Sequence, residues 1–256
     1  MKQKKSATVI SQKEIAPDIY DMWLATDLAS QARPGQFIGV YSTDKSTLLP
    51  RPISICEAAG DKKALRIVYR IAGQGTARFA GFREGDQVEV LGCLGNGFPL
   101  EKGEGKKVFL MGGGIGIPPI LQLAKEMNAE KQIVVGYRDN NLFLSEDLAK
   151  YGKVYAATED GSAGTRGNVM NAIEENGLEA DVIFACGPMP MLRAIKQYAQ
   201  AHGTAAYISL EEHMACGVGA CLGCVVKTRV VDHHSHVHNA RICTDGPVFE
   251  AQEVEI

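Results

Sequence analysis

The sequence predicts a multi-domain α/β plus β protein: an N-terminal antiparallel β-barrel, a central parallel α/β domain and a small C-terminal domain of irregular structure. Three observations predict it. Turn pairs punctuate short apolar runs over the first hundred residues. Apolar runs alternate with helical patterns over the next hundred. Four of the seven cysteines crowd the last fifth of the 256-residue chain.

Composition bounds the class. An apolar fraction of 45% and a charged fraction of 22% are those of a globular protein with a sizeable core. The formal net charge is −3, and the only basic block is Lys2, Lys4 and Lys5, so no nucleic-acid binding is expected. No apolar run follows those lysines, which predicts no signal peptide. No stretch approaches the ~20 apolar residues that cross a bilayer. A soluble cytoplasmic protein with no membrane partner is expected. Seven cysteines is an odd number; Cys56, Cys93 and Cys186 stand alone and the others cluster. Clustering points to metal rather than to a disulfide framework.

Residues 1–101 carry the barrel. Phe37-Ile38-Gly39-Val40-Tyr41 and Leu65-Arg66-Ile67-Val68-Tyr69 read as strands, and Pro34-Gly35, Ala59-Gly60-Asp61 and Glu84-Gly85-Asp86 as turns. The close spacing of strands and turns suits a small barrel better than βαβ units. A glycine-rich linker, Glu101–Gly105, then opens the second unit, residues 102–208. There the strands Lys107–Met111, Gln132–Tyr137, Val154–Thr158 and Asp181–Cys186 alternate with helices. The helices fall around Pro118–Met127, Ser145–Tyr151, Gly167–Glu175 and Pro190–Ala201. This alternation implies a helix-covered parallel sheet of the nucleotide-binding kind. Residues 209–256 have no clear period and are rich in Gly, Cys and His; there is no internal repeat.

The tail reads Cys216-Gly-Val-Gly-Ala-Cys221-Leu-Gly-Cys224, with Cys243 following after eighteen intervening residues. C-x4-C-x2-C…C is the plant-type [2Fe–2S] spacing. Three thiolates from one loop require the backbone to curl round the sulfides, and Gly217, Gly219 and Gly223 permit it. The alternatives are a zinc site, which usually takes its ligands as C-x2–4-C pairs, and unligated thiols. His233, His234, His236 and His238 are expected to lie in a solvated loop or hairpin tip, not to ligate the cluster, although such a tract can bind metal.

Two further motifs sit where cofactors would. Arg51-Pro52-Ile53-Ser54 lies in the barrel directly upstream of the nucleotide fold, with Arg51 a candidate for a pyrophosphate oxygen and Ser54 for a flavin ring. Gly73-Gln-Gly75-Thr76 precedes a short helix at Ala77–Ala80, where amides attract phosphate; the alternative is an ordinary turn capped by Thr76. Lys107–Met111 runs into Gly112-Gly113-Gly114-Ile115-Gly116-Ile117-Pro118-Pro119, a strand, glycines and a proline-started helix. It departs from G-x-G-x-x-G, and a tight turn is the alternative reading. Cys186-Gly187-Pro188-Met189 and Thr158-Glu159-Asp160-Gly161-Ser162 end strands where ligands bind, although Cys186 also reads as a small buried residue and 158–162 as a plain turn. Asp139 suits a free ribose hydroxyl and its neighbour Arg138 a phosphate, so the residues leave NAD against NADP open.

Together these motifs resemble the ferredoxin–NADP reductase superfamily with an added cysteine loop. The run Ser209-Leu-Glu-Glu-His-Met-Ala-Cys216, with Asp245-Gly-Pro-Val-Phe249, resembles the electron-transfer subunits of NAD-dependent dihydroorotate dehydrogenases, over essentially the whole chain. That resemblance implies FAD contacts from Arg51, Pro52, Ile53, Ser54, Val68, Tyr69 and Arg70, with Gly75 and Thr76 on its phosphates. It implies a nicotinamide dinucleotide, NAD, on Gly112, Gly113, Gly114, Gly116, Pro118, Cys186, Gly187 and Pro188, and a [2Fe–2S] cluster on Cys216, Cys221, Cys224 and Cys243. It further implies a separate FMN-containing catalytic subunit that oxidises dihydroorotate in pyrimidine (UMP) synthesis, in a heterotetramer of two of each. Electrons then pass from FMN through the cluster and FAD to NAD+, and this chain supplies no catalytic base for orotate. Ile53 stands where many members of the wider superfamily have an aromatic residue. Two rivals remain. One is the small subunit of an NADH-dependent ferredoxin–NADP oxidoreductase or a sulfide dehydrogenase, relatives that often replace one cluster cysteine with Asp. The other is a non-catalytic zinc scaffold.

Overall fold

Alternating apolar and polar residues close the first six strands into a barrel. These are β1 (Gln3–Ala16), β2 (Ile19–Ala25), β3 (Phe37–Val40), β4 (Arg51–Ala58), β5 (Ala64–Arg70) and β6 (Gln87–Leu94). They hydrogen-bond in the order β1-β2-β5-β4-β3-β6, every pair antiparallel. The start of β6 shows the period of two: Gln87 and Glu89 are exposed while Val88 and Val90 are buried. Met22, Leu24, Ile38, Leu65 and Ile67 fill the barrel, all completely buried. In this computed structural model the described residues are 3–42, 47–231 and 236–256. Between β5 and β6 lies α1 (Gln74–Phe79). It starts three residues before the helix expected at Ala77–Ala80, because the Gly73 carbonyl already accepts the Ala77 amide at 2.9 Å.

The second unit alternates strands and helices as its pattern requires: β7 (Lys107–Gly113), α2 (Pro118–Glu126), β8 (Glu130–Tyr137), α3 (Ser145–Ala149), β9 (Lys153–Thr158), β10 (Thr165–Arg166), α4 (Val169–Glu175), β11 (Val182–Cys186), α5 (Met189–His202) and β12 (Ala205–Ser209). The sheet runs β10-β9-β8-β7-β11-β12 in parallel. Strand order reverses between β7 and β11, and such a switch point leaves a crevice at the carboxyl ends of the two strands.

The tail forms a hairpin, β13 (Val225–Lys227) with β14 (Asn239–Arg241), and a last strand, β15 (Val248–Glu250), that pairs antiparallel with β12. Three residues are too few for β15 to show a period in sequence. Barrel and sheet share an apolar seam: Cys56 and Val68 of the barrel pack into the same core as Ile117, Ile120 and Leu121. Phe98 meets Phe184 edge-on, with ring centroids 6.0 Å apart. Among the described residues no helix is long and apolar enough to cross a membrane.

Candidate functional site

A cleft of about 740 Å³ opens between the barrel and the end of β12. Its barrel wall comes from two neighbouring strands. Arg51, Pro52, Ile53 and Ser54 begin β4, and Val68, Tyr69 and Arg70 end β5. Gly75 and Thr76 line it from the first turn of α1. The Thr76 hydroxyl accepts the Ala72 amide at 2.9 Å and donates to the Gly73 carbonyl at 3.2 Å, which fixes the turn. Gly75 has a steric reason to be glycine, because the Arg51 guanidinium occupies the space a Cβ would fill. Arg51 also donates to the Leu49 carbonyl at 2.5 Å. Two guanidiniums, Arg51 and Arg70, beside a helix start form a donor set suited to a pyrophosphate. An aromatic and aliphatic wall of Tyr69, Ile53 and Val68 suits a flat ring. The cleft therefore fits a flavin dinucleotide.

The dinucleotide motifs lie at the switch point. Gly112 of β7 pairs in register with Cys186 of β11. The loops after them, Gly113, Gly114 and Gly116 on one side and Gly187 and Pro188 on the other, flank one crevice, with Pro118 opening α2. Gly116 packs so tightly on the backbone of Cys186 and Gly187 that a Cβ would lie 2.6 Å from the Cys186 carbonyl carbon. Of this group only Ile115 reaches the cleft wall. The Cys186 thiol is completely buried, and burial pushes it far above its ordinary range, with Glu211 adding to the shift. Thr158 is buried with its hydroxyl on the Ala163 carbonyl at 2.7 Å, and Asp160 accepts from Ser162, so 158–162 is a self-braced turn. Asp139 accepts from the Asn141 amide and side chain at 2.9 and 2.7 Å, and Arg138 is exposed.

The remaining wall was not assigned from sequence. Ser209, Leu210, Glu211, His213 and Met214 follow the carboxyl end of β12 along the cleft, and Pro247 closes it. Apart from the family resemblance of the run Ser209–Cys216, their sequence signal is that position, at and just past the end of a strand beside the switch point. Glu211 opens onto the cleft yet is ringed by protein. Burial raises its carboxyl above the usual range, and Arg70 draws it partly back.

Two residues after Met214 the cysteine loop begins. Gly217 and Gly219 have φ of +68° and +81°, so the chain curls round the Cys216 sulfur. That sulfur accepts the amides of Ala220, Val218 and Cys221 at 3.3, 3.4 and 3.4 Å. Burial works against its ionisation, but these donors bring the thiol down to about 6. Cys216 also contacts the Cys221 thiol, and Cys243 contacts Cys224. Burial and the Cys224 sulfur push Cys243 up to about 12. The β13–β14 register makes the second pair: Val225 opposes Arg241, so Cys224 and Cys243 flank the same end of the hairpin. Among the described residues no group of three or more His, Cys, Asp and Glu side chains closes round one metal ion. The thiols stand two and two, the division a two-iron core with four cysteines takes. A sulfur that already accepts three amides, as that of Cys216 does, suits a cluster whose thiolates need such donors. His236 and His238 are exposed, in keeping with a solvated tip; His233 and His234 lie outside the described residues, as does Lys2.

Cluster loop and cleft are locked together. Asn96, just after β6, donates its side-chain Nδ2 to the carbonyls of Asp245 and Val248, each at 3.0 Å, and its backbone amide donates to the Gly246 carbonyl at 2.7 Å. The Leu210 amide donates to the Pro247 carbonyl at 2.9 Å. A Cβ on Gly217 would lie 3.2 Å from Leu94 of β6.

Comparison with known proteins gives concordant results. Residues 211–255 match the family model of the iron–sulfur cluster binding domain of dihydroorotate dehydrogenase B. The chain is 42% identical to the dihydroorotate dehydrogenase B (NAD(+)) electron transfer subunit of Bacillus mycoides, covering 99% of both chains. It is 40% identical to that of Streptococcus mutans, covering 98% of both. Among solved structures, a chain of the NADH-dependent reduced ferredoxin–NADP oxidoreductase superposes with a TM-score of 0.85 at 27% identity, over 97% of this chain and 89% of that one. A ferredoxin NADP+ reductase from Neisseria gonorrhoeae shares the fold, with a TM-score of 0.67 at 16% identity over 83% of this chain and 95% of that one.

Proposed function

The chain belongs to the family of dihydroorotate dehydrogenase B (NAD(+)) electron transfer subunits, and from that premise we propose which of its residues carry the relay from the dihydroorotate-oxidising subunit to NAD+. Bound FAD and a [2Fe–2S] cluster supply the conversion between one-electron and two-electron (hydride) transfer. The protein's share is to hold, orient and space them.

Arg51 and Arg70 hold the FAD pyrophosphate, Gly75 and Thr76 present amides to it, and Pro52, Ile53, Ser54, Val68 and Tyr69 seat the ring. Gly112, Gly113, Gly114 and Gly116, with Pro118 at the helix start, admit the NAD phosphates, and Cys186, Gly187 and Pro188 face the nicotinamide. Cys216, Cys221, Cys224 and Cys243 ligate the cluster. The observation that carries this reading is a shared wall. The segment that lines the cleft as far as Met214 becomes the cluster loop at Cys216, and the segment that leaves Cys243 lines the cleft again at Pro247. No other segment is needed between the two groups.

The division 1–101, 102–208 and 209–256 follows these three tasks. The partner is an FMN-containing catalytic subunit in a heterotetramer of two of each. Val218 and Leu222, 43% and 63% exposed on the cluster loop, give that partner an apolar landing. All seven cysteines are free thiols, which suits a cytoplasmic enzyme of pyrimidine synthesis. The test is purification with whatever accompanies the chain, then iron and flavin quantitation. Iron and FAD with an FMN subunit are expected. Zinc without flavin would overturn the reading. A much larger flavoprotein partner would favour a second reading, a subunit of an NADH-dependent ferredoxin–NADP oxidoreductase, for which the 27% identical neighbour is the supporting observation.

A further inference from the structure

We propose that a polar clamp across the seam, formed by Gln122 and Lys125 of α2 with the end of β4 and by Asp147 of α3 with Arg66 of β5, sets the spacing between flavin and nicotinamide, so that these are positioning residues for hydride transfer. The inference rests on the reading that FAD fills the cleft and NAD(H) the switch-point loops.

Two elements carry those sites, and they are tied at their opposite ends. Strand β4 starts in the cleft with Arg51–Ser54 and finishes at Ala58; helix α2 starts directly after Gly112–Gly116 and finishes at Glu126. At the finishing ends the Ala58 amide donates to Gln122 Oε1 at 2.7 Å. Lys125 Nζ donates to the Ala58 carbonyl at 3.3 Å and pairs with Glu57 Oε1 at 2.7 Å. Both backbone groups of one barrel residue are thus answered by side chains of the dinucleotide helix. Gln122 is 1% exposed, on a helix whose other core-facing residues are apolar. An apolar side chain would suffice for packing there, but it would leave the Ala58 amide without its partner.

The second tie uses a whole guanidinium. Arg66, two residues before Val68 of the cleft, grips Asp21 through Nε and Nη2, both at 2.9 Å. Its remaining Nη1 crosses the seam to Asp147 at 3.0 Å and also approaches Glu57 at 3.5 Å. Asp147 is braced in turn by Lys150 at 2.6 Å. Most of the rest of this seam is apolar, with Cys56 and Val68 against Ile117 and Ile120 and Phe98 against Phe184, and Lys62 only approaches Glu126 at 3.9 Å. Apolar contact is non-directional and tolerates sliding, whereas hydrogen bonds fix distance and angle. The register of the two domains is therefore held by the polar ties. None of Gln122, Lys125 and Asp147 lines the cleft, so their action passes through backbone position and not through touching a cofactor.

The test uses the full complex with the Lys125→Met/Asp147→Ala double variant, Gln122→Met, and Asp147→Glu as the conservative control. Readouts are FAD and iron content, stopped-flow reduction of the flavin by NADH, the long-wavelength charge-transfer absorbance of reduced flavin with NAD+, and amide exchange at Ala58. The double variant is expected to keep its FAD and iron and its apparent affinity for NADH. Flavin reduction should slow about tenfold or more, since displacements near 1 Å cost up to about a hundredfold. The charge-transfer band should weaken, Ala58 should exchange faster in Gln122→Met, which removes the acceptor of its amide, and Asp147→Glu should keep most of the wild-type rate. If Gln122→Met fails to fold, the double variant, altered at partly exposed positions, decides the matter. Wild-type rate and charge-transfer band in the double variant would overturn the clamp. A wild-type flavin that NADH does not reduce would overturn the underlying reading, and the clamp with it.

Discussion

The amide of Ile242 donates to the carbonyl of Cys224 at 2.9 Å, joining the loop that carries three thiols to the hairpin end that carries the fourth. This bond makes the cluster site one unit in spite of the eighteen residues between Cys224 and Cys243. The flavin wall has its own support as well, because residues of the barrel strands β4 and β5 hold that side of the cleft whether or not the thiols are occupied.

Cys221→Ser should therefore empty the iron site and spare the flavin. Cys221 is exposed, so the substitution costs little stability. Iron should be lost, FAD should be retained, and NADH should still reduce artificial acceptors. Dihydroorotate:NAD+ turnover with the partner should fall by about a hundredfold or more. Full turnover in an iron-free variant would refute the relay.

The flavin cradle makes a graded prediction. Removing the guanidinium in Arg51→Ala deletes charge-assisted bonds worth about 1.5–3 kcal/mol, so FAD should bind about tenfold more weakly or worse. Gly75→Ala should act through the same group, because its methyl would displace the Arg51 side chain, and it should produce a smaller loss. The double variant should be no worse than Arg51→Ala alone. Flavin remaining after dialysis measures all three, and additive losses would show that the two residues act separately.

How far these features were legible in sequence follows from their range. The strands β3 and β5 announced themselves by apolar runs between turn pairs, and β7, β8, β9 and β11 by alternation with helices, because those signals are local, whereas the two residues of β10 gave none. The glycine loop and the C-x4-C-x2-C spacing were legible for the same reason. The β1–β2 hairpin was not, since much of β1 is polar and faces solvent. The cleft wall from Ser209 to Met214 has no period; the run carried a family resemblance, but nothing in it announced a wall of the cleft. Arg66 and Asp147 are 81 residues apart, and no local pattern pairs them.

The seam should weaken in acid. Burial tends to raise the Asp147 carboxyl, but hydrogen bonds from Lys150 and Arg66 outweigh it and hold the group below its ordinary 3.8. A depressed folded value means the stabilisation is complete above the ordinary carboxylate range and is lost as pH falls through the folded one. At neutral pH Asp147→Asn should cost about 1 kcal/mol, and the difference from wild type should close in acid, once the pH has fallen through the depressed folded value. Urea melts at the two pH values check this; a difference that persisted in acid would show that the charge of Asp147 is not what stabilises the seam.

Gly116 and Gly114 offer the sharpest contrast in the dinucleotide loop. At Gly114, φ is +51° and a Cβ would meet nothing, so Gly114→Ala costs only left-handed strain of about 1–2 kcal/mol in a loop free to relax. At Gly116 a Cβ would lie 2.6 Å from the Cys186 carbonyl carbon and 2.7 Å from Gly187 Cα. Those are backbone atoms of the facing strand end, held in register because Cys186 pairs with Gly112. The methyl of Gly116→Ala would push the loop after β7 away from the end of β11, in the crevice proposed for the nicotinamide. Flavin reduction by NADH should therefore fall about a hundredfold, with FAD and iron contents unchanged, while Gly114→Ala loses much less. Equal effects of the two substitutions on the stopped-flow rate would mean that the closeness of the two strand ends does not set the hydride-transfer geometry.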